Sequence, residues 1–184
     1  MKRLFDVLVS LLALAVLSPV LLLAAAAVAL ESGLPVLFRQ VRVGRGGREF
    51  RILKFRSMVK DAESIGPYQT SDRDPRITRV GGFLRRTSID ELPQLLNVLA
   101  GDMSLVGPRP DVPAQRGLYS PAQWQERCSV RPGLTGWAQA IYRSEASMEQ
   151  RIDLDLRYAR EAGLWLDLKI IIWTALRLAR IKGN

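Results

Sequence analysis

Two adjacent carboxylates, Asp90 and Glu91, are the residues of this 184-residue chain best suited by type and spacing to do chemistry. The chain has no histidine and a single cysteine, Cys128. Ser-His and Cys-His nucleophile pairs are therefore excluded, and the usual imidazole and thiol ligands of a zinc site are missing. Catalysis must rest on carboxylates, lysine, tyrosine, hydroxyls or a metal ion. Cys128 reads as a small buried residue. One thiol makes no internal disulfide, and a reducing, cytosol-facing location is the default.

The acidic pair has two readings from its neighbours. Ser88-Ile89-Asp90-Glu91 matches the S-x-x-E capping box of a helix start. With Ser88 as the cap, Pro93 would fall at the fifth helical position and lose a helical hydrogen bond. With Asp90 as N-cap, Pro93 falls at N3, where no donor is needed. The second register is preferred. It sets Asp90 at the positive end of a helix, which favours the ionised form. That suits an ion-binding carboxylate, a carboxylate nucleophile or plain capping, and spacing alone leaves all three open.

Arg85, Arg86, Arg109 and Arg131 accompany the pair, the last two in the loops Gly107-Pro108-Arg109-Pro110 and Arg131-Pro132-Gly133. A guanidinium grips phosphate bidentately and stays charged. A carboxylate, a Mg²⁺ ion and several arginines together make a phosphoryl-transfer site. The alternative is that these arginines are solvated or lie on lipid headgroups. No Walker A or Rossmann glycine motif is present.

The elements that must position these groups begin with an apolar run. Val7 to Leu30 is interrupted only by Ser10, Ser18 and Pro19. As a straight helix it is roughly 36 Å long at 1.5 Å per residue, enough to span a bilayer. A secretory signal would share the basic start, Lys2-Arg3, but the run is too long and Glu31-Ser32-Gly33 is a poor cleavage context. Pro19 is expected to kink the helix, with the Ser18 hydroxyl satisfying a freed carbonyl. Lys2 and Arg3 precede the run, and Arg39, Arg42, Arg45, Arg48, Arg51, Lys54 and Arg56 follow it. Both flanks thus ask to be cytoplasmic. A re-entrant helix that breaks at Ser18-Pro19 meets that demand better than a span. Residues 1–32 are expected to form this membrane helix, and residues 33–184 a cytoplasm-facing catalytic domain with interfacial helices.

The net charge of +9, from 27 Lys+Arg, predicts an anionic partner: nucleic acid, anionic lipid or a phosphorylated substrate. The uneven apolar distribution favours the membrane. Past a hinge at Glu31 to Pro35, alternation around Gly44 and Gly46-Gly47 predicts a β-hairpin over Val36 to Phe55. A polar loop is expected over Asp61 to Thr78, and two short helices over Val80 to Leu99. Gly101 to Pro113 reads as irregular backbone, and Arg131 to Trp137 as a loop. Further helices are expected at Ser120 to Arg127, at Ser147 to Glu161 and at Leu164 to Ile181. The last, with Trp165, Trp173, Lys169, Arg177, Arg180 and Lys182, reads as an interfacial helix, or as a core helix with a basic edge. The fold class is α+β and helix-dominated.

These stretches resemble the bacterial sugar transferase family, the small monotopic phosphoglycosyl transferases. The likeness covers nearly the whole chain. It runs through Lys2-Arg3-Leu4-Phe5-Asp6, Ser18-Pro19, Lys54-Phe55-Arg56-Ser57-Met58 and Ser88-Ile89-Asp90-Glu91-Leu92-Pro93-Gln94. It continues through Gly101 to Pro110, Arg131 to Gln139 and Leu166-Asp167-Leu168-Lys169. The resemblance implies transfer of a sugar-1-phosphate from a UDP-sugar to a polyprenyl (undecaprenyl) phosphate, with release of UMP. It implies Asp90 as the nucleophile of an aspartyl-phosphosugar intermediate, Glu91 as its assistant, and Mg²⁺ at Asp90. Arg85 and Arg109 would hold phosphate, with Lys54, Arg56, Arg131 and Gln139 as further substrate contacts. It implies the bacterial inner membrane, cytoplasmic face, a minimal catalytic form without extra N-terminal spans, and no nucleic-acid partner. An ordinary UDP-sugar glycosyltransferase, releasing UDP, and a non-catalytic anionic-lipid or nucleic-acid binder are the alternatives. The sequence departs from the family pattern after Gln139, at Ala140-Ile141-Tyr142-Arg143-Ser144-Glu145. If that loop selects the sugar, specificity does not carry over.

Overall fold

The computed structural model describes residues 1–65, 74–142 and 146–181, with backbone alone at 63–64 and 178–181. Part of the predicted polar loop, residues 143–145 of the divergent stretch, and Lys182 lie outside the described residues.

The apolar run forms one helix, α1 (Lys2–Ser32), with Pro19 inside it. Pro19 has no N–H to offer Ala15 O four residues back. The Ser18 hydroxyl donates to that carbonyl instead, at 2.8 Å. β1 (Leu37–Val43) and β2 (Glu49–Phe55) pair as the predicted hairpin. Its turn, Arg45–Gly47, has Gly46 at φ 67° and Gly47 at φ 77°, which is why glycines stand there. There follow α2 (Ala62–Ile65), α3 (Arg79–Thr87), α4 (Gln94–Ala100), β3 (Ser104–Val106), α5 (Pro121–Arg127), β4 (Gly133–Thr135), α6 (Trp137–Tyr142), α7 (Met148–Glu161) and α8 (Leu164–Ile181). Ser120 and Ser147 cap α5 and α7, each bonding the N–H three residues on.

Two sequence expectations are corrected. The segments read as irregular, 101–113 and 131–137, contain β3 and β4. These pair in parallel, Ser104 with Gly133 and Val106 with Thr135. Three-residue strands are too short to show a period of two, and parallel pairing leaves no turn signature. α6 and the 3₁₀ segment Pro113–Leu118 were likewise not foreseen.

The chain forms two compact units, and α1 contributes to both. One comprises residues 12–40 and 52–94. Its core joins Ala24 and Val28 of α1 to Phe55 of β2 and Leu84 of α3, with Val80 and Ile89 packed around them. Gly81 is obligatory there, because a Cβ would lie 2.1 Å from Ser57 O. The other comprises residues 1–11, 41–51 and 95–184. Val43, Tyr119, Trp124 and Cys128 form one of its cores, backed by Met148 and Ile152 of α7. α8 packs on α6, β3 and β4. Asp167 and Ile170 are buried, and Thr174 bonds Thr135 of β4 at 2.8 Å. Its exposed positions include Trp165, Lys169, Ile172, Trp173 and Leu176, so large apolar side chains stand beside a lysine on its outer face.

Candidate active site

α3 ends at Ser88, a non-glycine residue at φ 58° whose N–H closes on Arg85 O. One 3₁₀ turn follows, Ile89–Glu91, tied by Glu91 N to Ser88 O at 3.3 Å and Leu92 N to Ile89 O at 3.2 Å. Ile89 anchors this turn in the core. Pro93 cannot donate, and α-helical bonding starts afresh at Gln94. The predicted register is therefore corrected. Asp90 lies within the turn and is not the N-cap of α4, and Ser88 makes no side-chain cap bond. Asp90 follows the C-terminal end of α3, so the N-cap argument for its ionised form does not apply. Arg85 and Arg86, in the last turn of α3, are the cations at that end.

Asp90 is 9% exposed. Beside it in sequence, Glu91 Oε1 accepts from Lys54 Nζ of β2 at 2.7 Å. Asp90, Glu91, Lys54 and Arg85 thus belong to one compact unit. Arg56 belongs to it as well, buried, and its guanidinium donates to Ser32 O at 2.6 Å and to Gly33 O. It caps the carbonyls that the end of α1 leaves open. At the same end Glu31 accepts from Arg79 N at 2.9 Å and Val80 N at 3.0 Å, the first amides of α3. Asp74 and Arg76 pair at 2.6 Å. The Arg76 guanidinium beside Asp74 holds that carboxyl down to about 2.

Arg109, Arg131 and Gln139 belong to the other unit. Three close approaches build their surroundings. A Cβ on Gly107 would lie 2.3 Å from Arg131 O, one on Gly133 would lie 2.1 Å from Gly107 N, and one on Gly136 would lie 2.5 Å from Gly107 O. Glycine is what lets these backbones touch. Between residues 103 and 112 every residue is buried except Arg109. Arg131 Nε donates to Gly101 O at 2.9 Å, which gives it a structural role. Gln139 Oε1 is buried with no hydrogen-bond partner among the described residues. Buried acceptors are normally satisfied, so Gln139 has capacity for a ligand donor.

Sequence reasoning missed the polar groups that hold this unit together. Lys2 Nζ lies 2.5 Å from Asp167 Oδ2, and the Tyr158 hydroxyl lies 2.7 Å from Asp167 Oδ1 and 2.8 Å from Val106 O. Burial, then the Asp167 charge, pushes the Tyr158 hydroxyl well above its ordinary value. Asp6, buried, accepts from Ser104 Oγ at 2.9 Å and Leu105 N at 3.1 Å. Arg3 donates to Val98 O at 2.5 Å and Leu99 O at 2.9 Å, the last carbonyls of α4. An isolated acid in an apolar helix, such as Asp6 or Asp167, was the available signal. Such a group is buried only with a partner. No cluster of three or more acidic or thiol groups lies among the described residues. A divalent cation here would rest on Asp90 and on substrate phosphates, the usual arrangement for Mg²⁺.

Comparison with known proteins completes the picture. The chain is 45% identical over 184 residues to the UDP-glucose:undecaprenyl-phosphate glucose-1-phosphate transferase of Escherichia coli K12, covering 96% of this chain and 40% of that protein. It is 48% identical over 180 residues to the protein of the same name from Caulobacter vibrioides, covering 94% and 67%. It is 43% identical over 181 residues to the UDP-N-acetylgalactosamine-undecaprenyl-phosphate N-acetylgalactosaminephosphotransferase of Aeromonas hydrophila, covering 94% and 42%. The chain thus spans about two fifths of the E. coli and Aeromonas proteins. The family model described as bacterial sugar transferase matches residues 1–180, and with the motifs above in one unbroken order, the chain belongs to the bacterial sugar transferase family.

Proposed function

We propose that the chain transfers a sugar-1-phosphate from a UDP-sugar to a polyprenyl phosphate, releasing UMP, at the cytoplasmic face of the bacterial inner membrane. The buried Asp90 beside the Lys54–Glu91 pair carries the reading. The names of the relatives, which pair a UDP-sugar with undecaprenyl phosphate, support it. A carboxylate oxygen of Asp90 attacks the phosphorus that bears the sugar. The bond from that phosphorus to the bridging oxygen breaks, and UMP leaves with the oxygen. A phosphate oxygen of the polyprenyl phosphate then attacks the same phosphorus and releases Asp90. Two displacements separate two bulky anions in time. Glu91 assists by positioning or proton transfer. Arg85 and Arg109 hold phosphate, Arg131 and Lys54 add positive charge, and Gln139 offers its free acceptor. Mg²⁺ at Asp90 would supply charge neutralisation on the diphosphate.

The membrane reading has its own support. α1 is apolar and mostly exposed, with Leu4, Leu8, Leu12, Val16, Leu22 and Leu23 on its surface. Its first turns bond to residues 98–106, 158 and 167, and its last turn to residues 56, 79 and 80. The first turns are thus tied within one compact unit and the last turn within the other. The apolar outer face of α8, with Lys169 Nζ 5.5 Å from the Trp165 ring, suits the headgroup region.

The test is purified protein with Mg²⁺, undecaprenyl phosphate and a panel of UDP-sugars. Lipid-dependent UMP release from one sugar is expected, with Asp90→Asn inactive. UDP release would indicate an ordinary glycosyltransferase. No release from any sugar, with salt-sensitive anion binding indifferent to Asp90, would favour a binding protein. Cysteines added ahead of Met1 and at Arg45 are expected to label from one side of the membrane. Opposite sides would establish a span.

A further inference from the structure

We infer that Arg127 is a positioning residue for Arg109, acting through a buried ion network beneath the Gly107–Asp111 loop. The inference rests on the proposed role of Arg109 as a phosphate ligand. Arg127, the last residue of α5, is 3% exposed. Its Nε lies 3.0 Å from Asp155 Oδ2 of α7, and its Nη2 lies 3.2 Å from Asp111 Oδ2. The same Nη2 donates to the backbone carbonyl of Arg109. Asp111, fully buried, also accepts from the Tyr119 hydroxyl at 2.7 Å and from Arg151.

The rest of the loop is held just as firmly. Pro108 O accepts from Gly133 N at 2.9 Å, Pro110 O from Arg42 Nη1 at 2.9 Å, and Asp111 O from Val43 N at 2.8 Å. Prolines on both sides fix their own φ. The backbone freedom left in the loop is that of residue 109 itself, and the Arg127 bond to its carbonyl removes it. That peptide plane sets the direction in which the Arg109 side chain leaves an otherwise buried segment.

Stability alone is a weak reason for such a network. Two buried carboxylates and two arginines carry a desolvation cost that an apolar core of the same volume would avoid. What the network adds is geometry. A guanidinium can address two carboxylates and a carbonyl at once, whereas a lysine ammonium on a flexible stem cannot. Misplacing a substrate-holding group by about 1 Å costs up to ~100-fold in rate.

The test uses the full chain in lipid nanodiscs, with Arg127→Lys, Arg109→Ala and the double variant. Arg127→Lys is expected to speed amide hydrogen exchange at Gly107, Arg109 and Asp111 about tenfold or more, with α3 and α8 within about twofold of wild type. In the UMP-release assay it is expected to lower kcat/KM by about 10–100-fold in the wild-type background, and by less than about threefold when Arg109 is already alanine. Additive losses, unchanged exchange in 107–111, or an equal increase everywhere would overturn the inference. Absence of UMP release from the wild type would instead sink the proposed function, and hydrogen exchange would still decide whether Arg127 fixes the loop. If Arg127→Lys does not fold, Asp155→Asn, which releases the other side of the guanidinium, is expected to give the same local exchange pattern.

Discussion

Replacing Lys54 by methionine removes its ion pair with Glu91. The two side chains are 17% and 21% exposed, and the contact is 2.7 Å. This is not a solvent-screened surface pair. A hydrogen bond to a charged group contributes about 1.5–3 kcal/mol, and the change takes the ammonium from a carboxylate that is largely shielded from water. At about 2 kcal/mol, the midpoint of thermal unfolding should drop by about 4–8 °C for a chain of this size. Turnover should fall further, by about 100-fold, as when one preorganised charge or donor is removed from a reacting centre.

The double variant Lys54→Met/Glu91→Gln separates the two effects. Removing both partners of a buried pair is far less costly than removing one. The midpoint should return to within about 3 °C of wild type, roughly 1 kcal/mol at this chain length. Turnover should stay low. Differential scanning fluorimetry and UMP release on the same preparations read both. An unchanged midpoint in Lys54→Met would refute the energetic reasoning. Restored turnover in the double variant would show that the charges act only on the fold.

Three further outcomes follow from the geometry. Asp74, held near 2 in the folded chain against an ordinary 3.8, adds stability that is full above pH 4 and fades as pH falls from about 4 to about 2. The stability advantage of wild type over Asp74→Asn, followed by denaturation at stepped pH, should shrink across that window. Gly81→Ala would put a Cβ 2.1 Å from Ser57 O, which is backbone on both sides and cannot yield, so the variant should fail to accumulate as folded protein in membrane fractions. Asp6→Asn should lower stability by about 2–3 kcal/mol, because it withdraws a buried carboxylate from Ser104 and Leu105, and the melting curve would show it.

What was legible in the sequence was whatever had period or punctuation. α1 was visible from its length, the hairpin from alternation broken by Gly46-Gly47, α5 from its capping start at Ser120-Pro121, and α7 from its amphipathic pattern. Pro19 and Ser18 were read together, and the hydroxyl meets the orphaned carbonyl as expected. β3 and β4 were invisible because three residues show no period, and their pairing joins segments almost thirty residues apart in the chain. Asp90 was marked as important by type, yet its local geometry was misread. A residue in the left-handed region at Ser88, which propensity does not suggest, ended α3 and turned an expected helix start into a 3₁₀ turn.

Charge was legible in its sign but not in its local use. Lys2, Arg3 and the cations after α1 read in the sequence as flanks drawn to the cytoplasmic side, and the net charge as the mark of an anionic partner. Many are instead spent inside the protein. Arg3, Arg42, Arg45, Arg56, Arg127 and Arg131 each donate to backbone carbonyls, several of them at helix ends. Such an arginine says little about headgroups. It says where the chain around it must fold, and a folded polar unit cannot sit in hydrocarbon. Lys2 and Arg3 bind Asp167 and the end of α4, while Arg56 closes the end of α1. Each of these tethers has a named partner, so its loss is measurable one bond at a time.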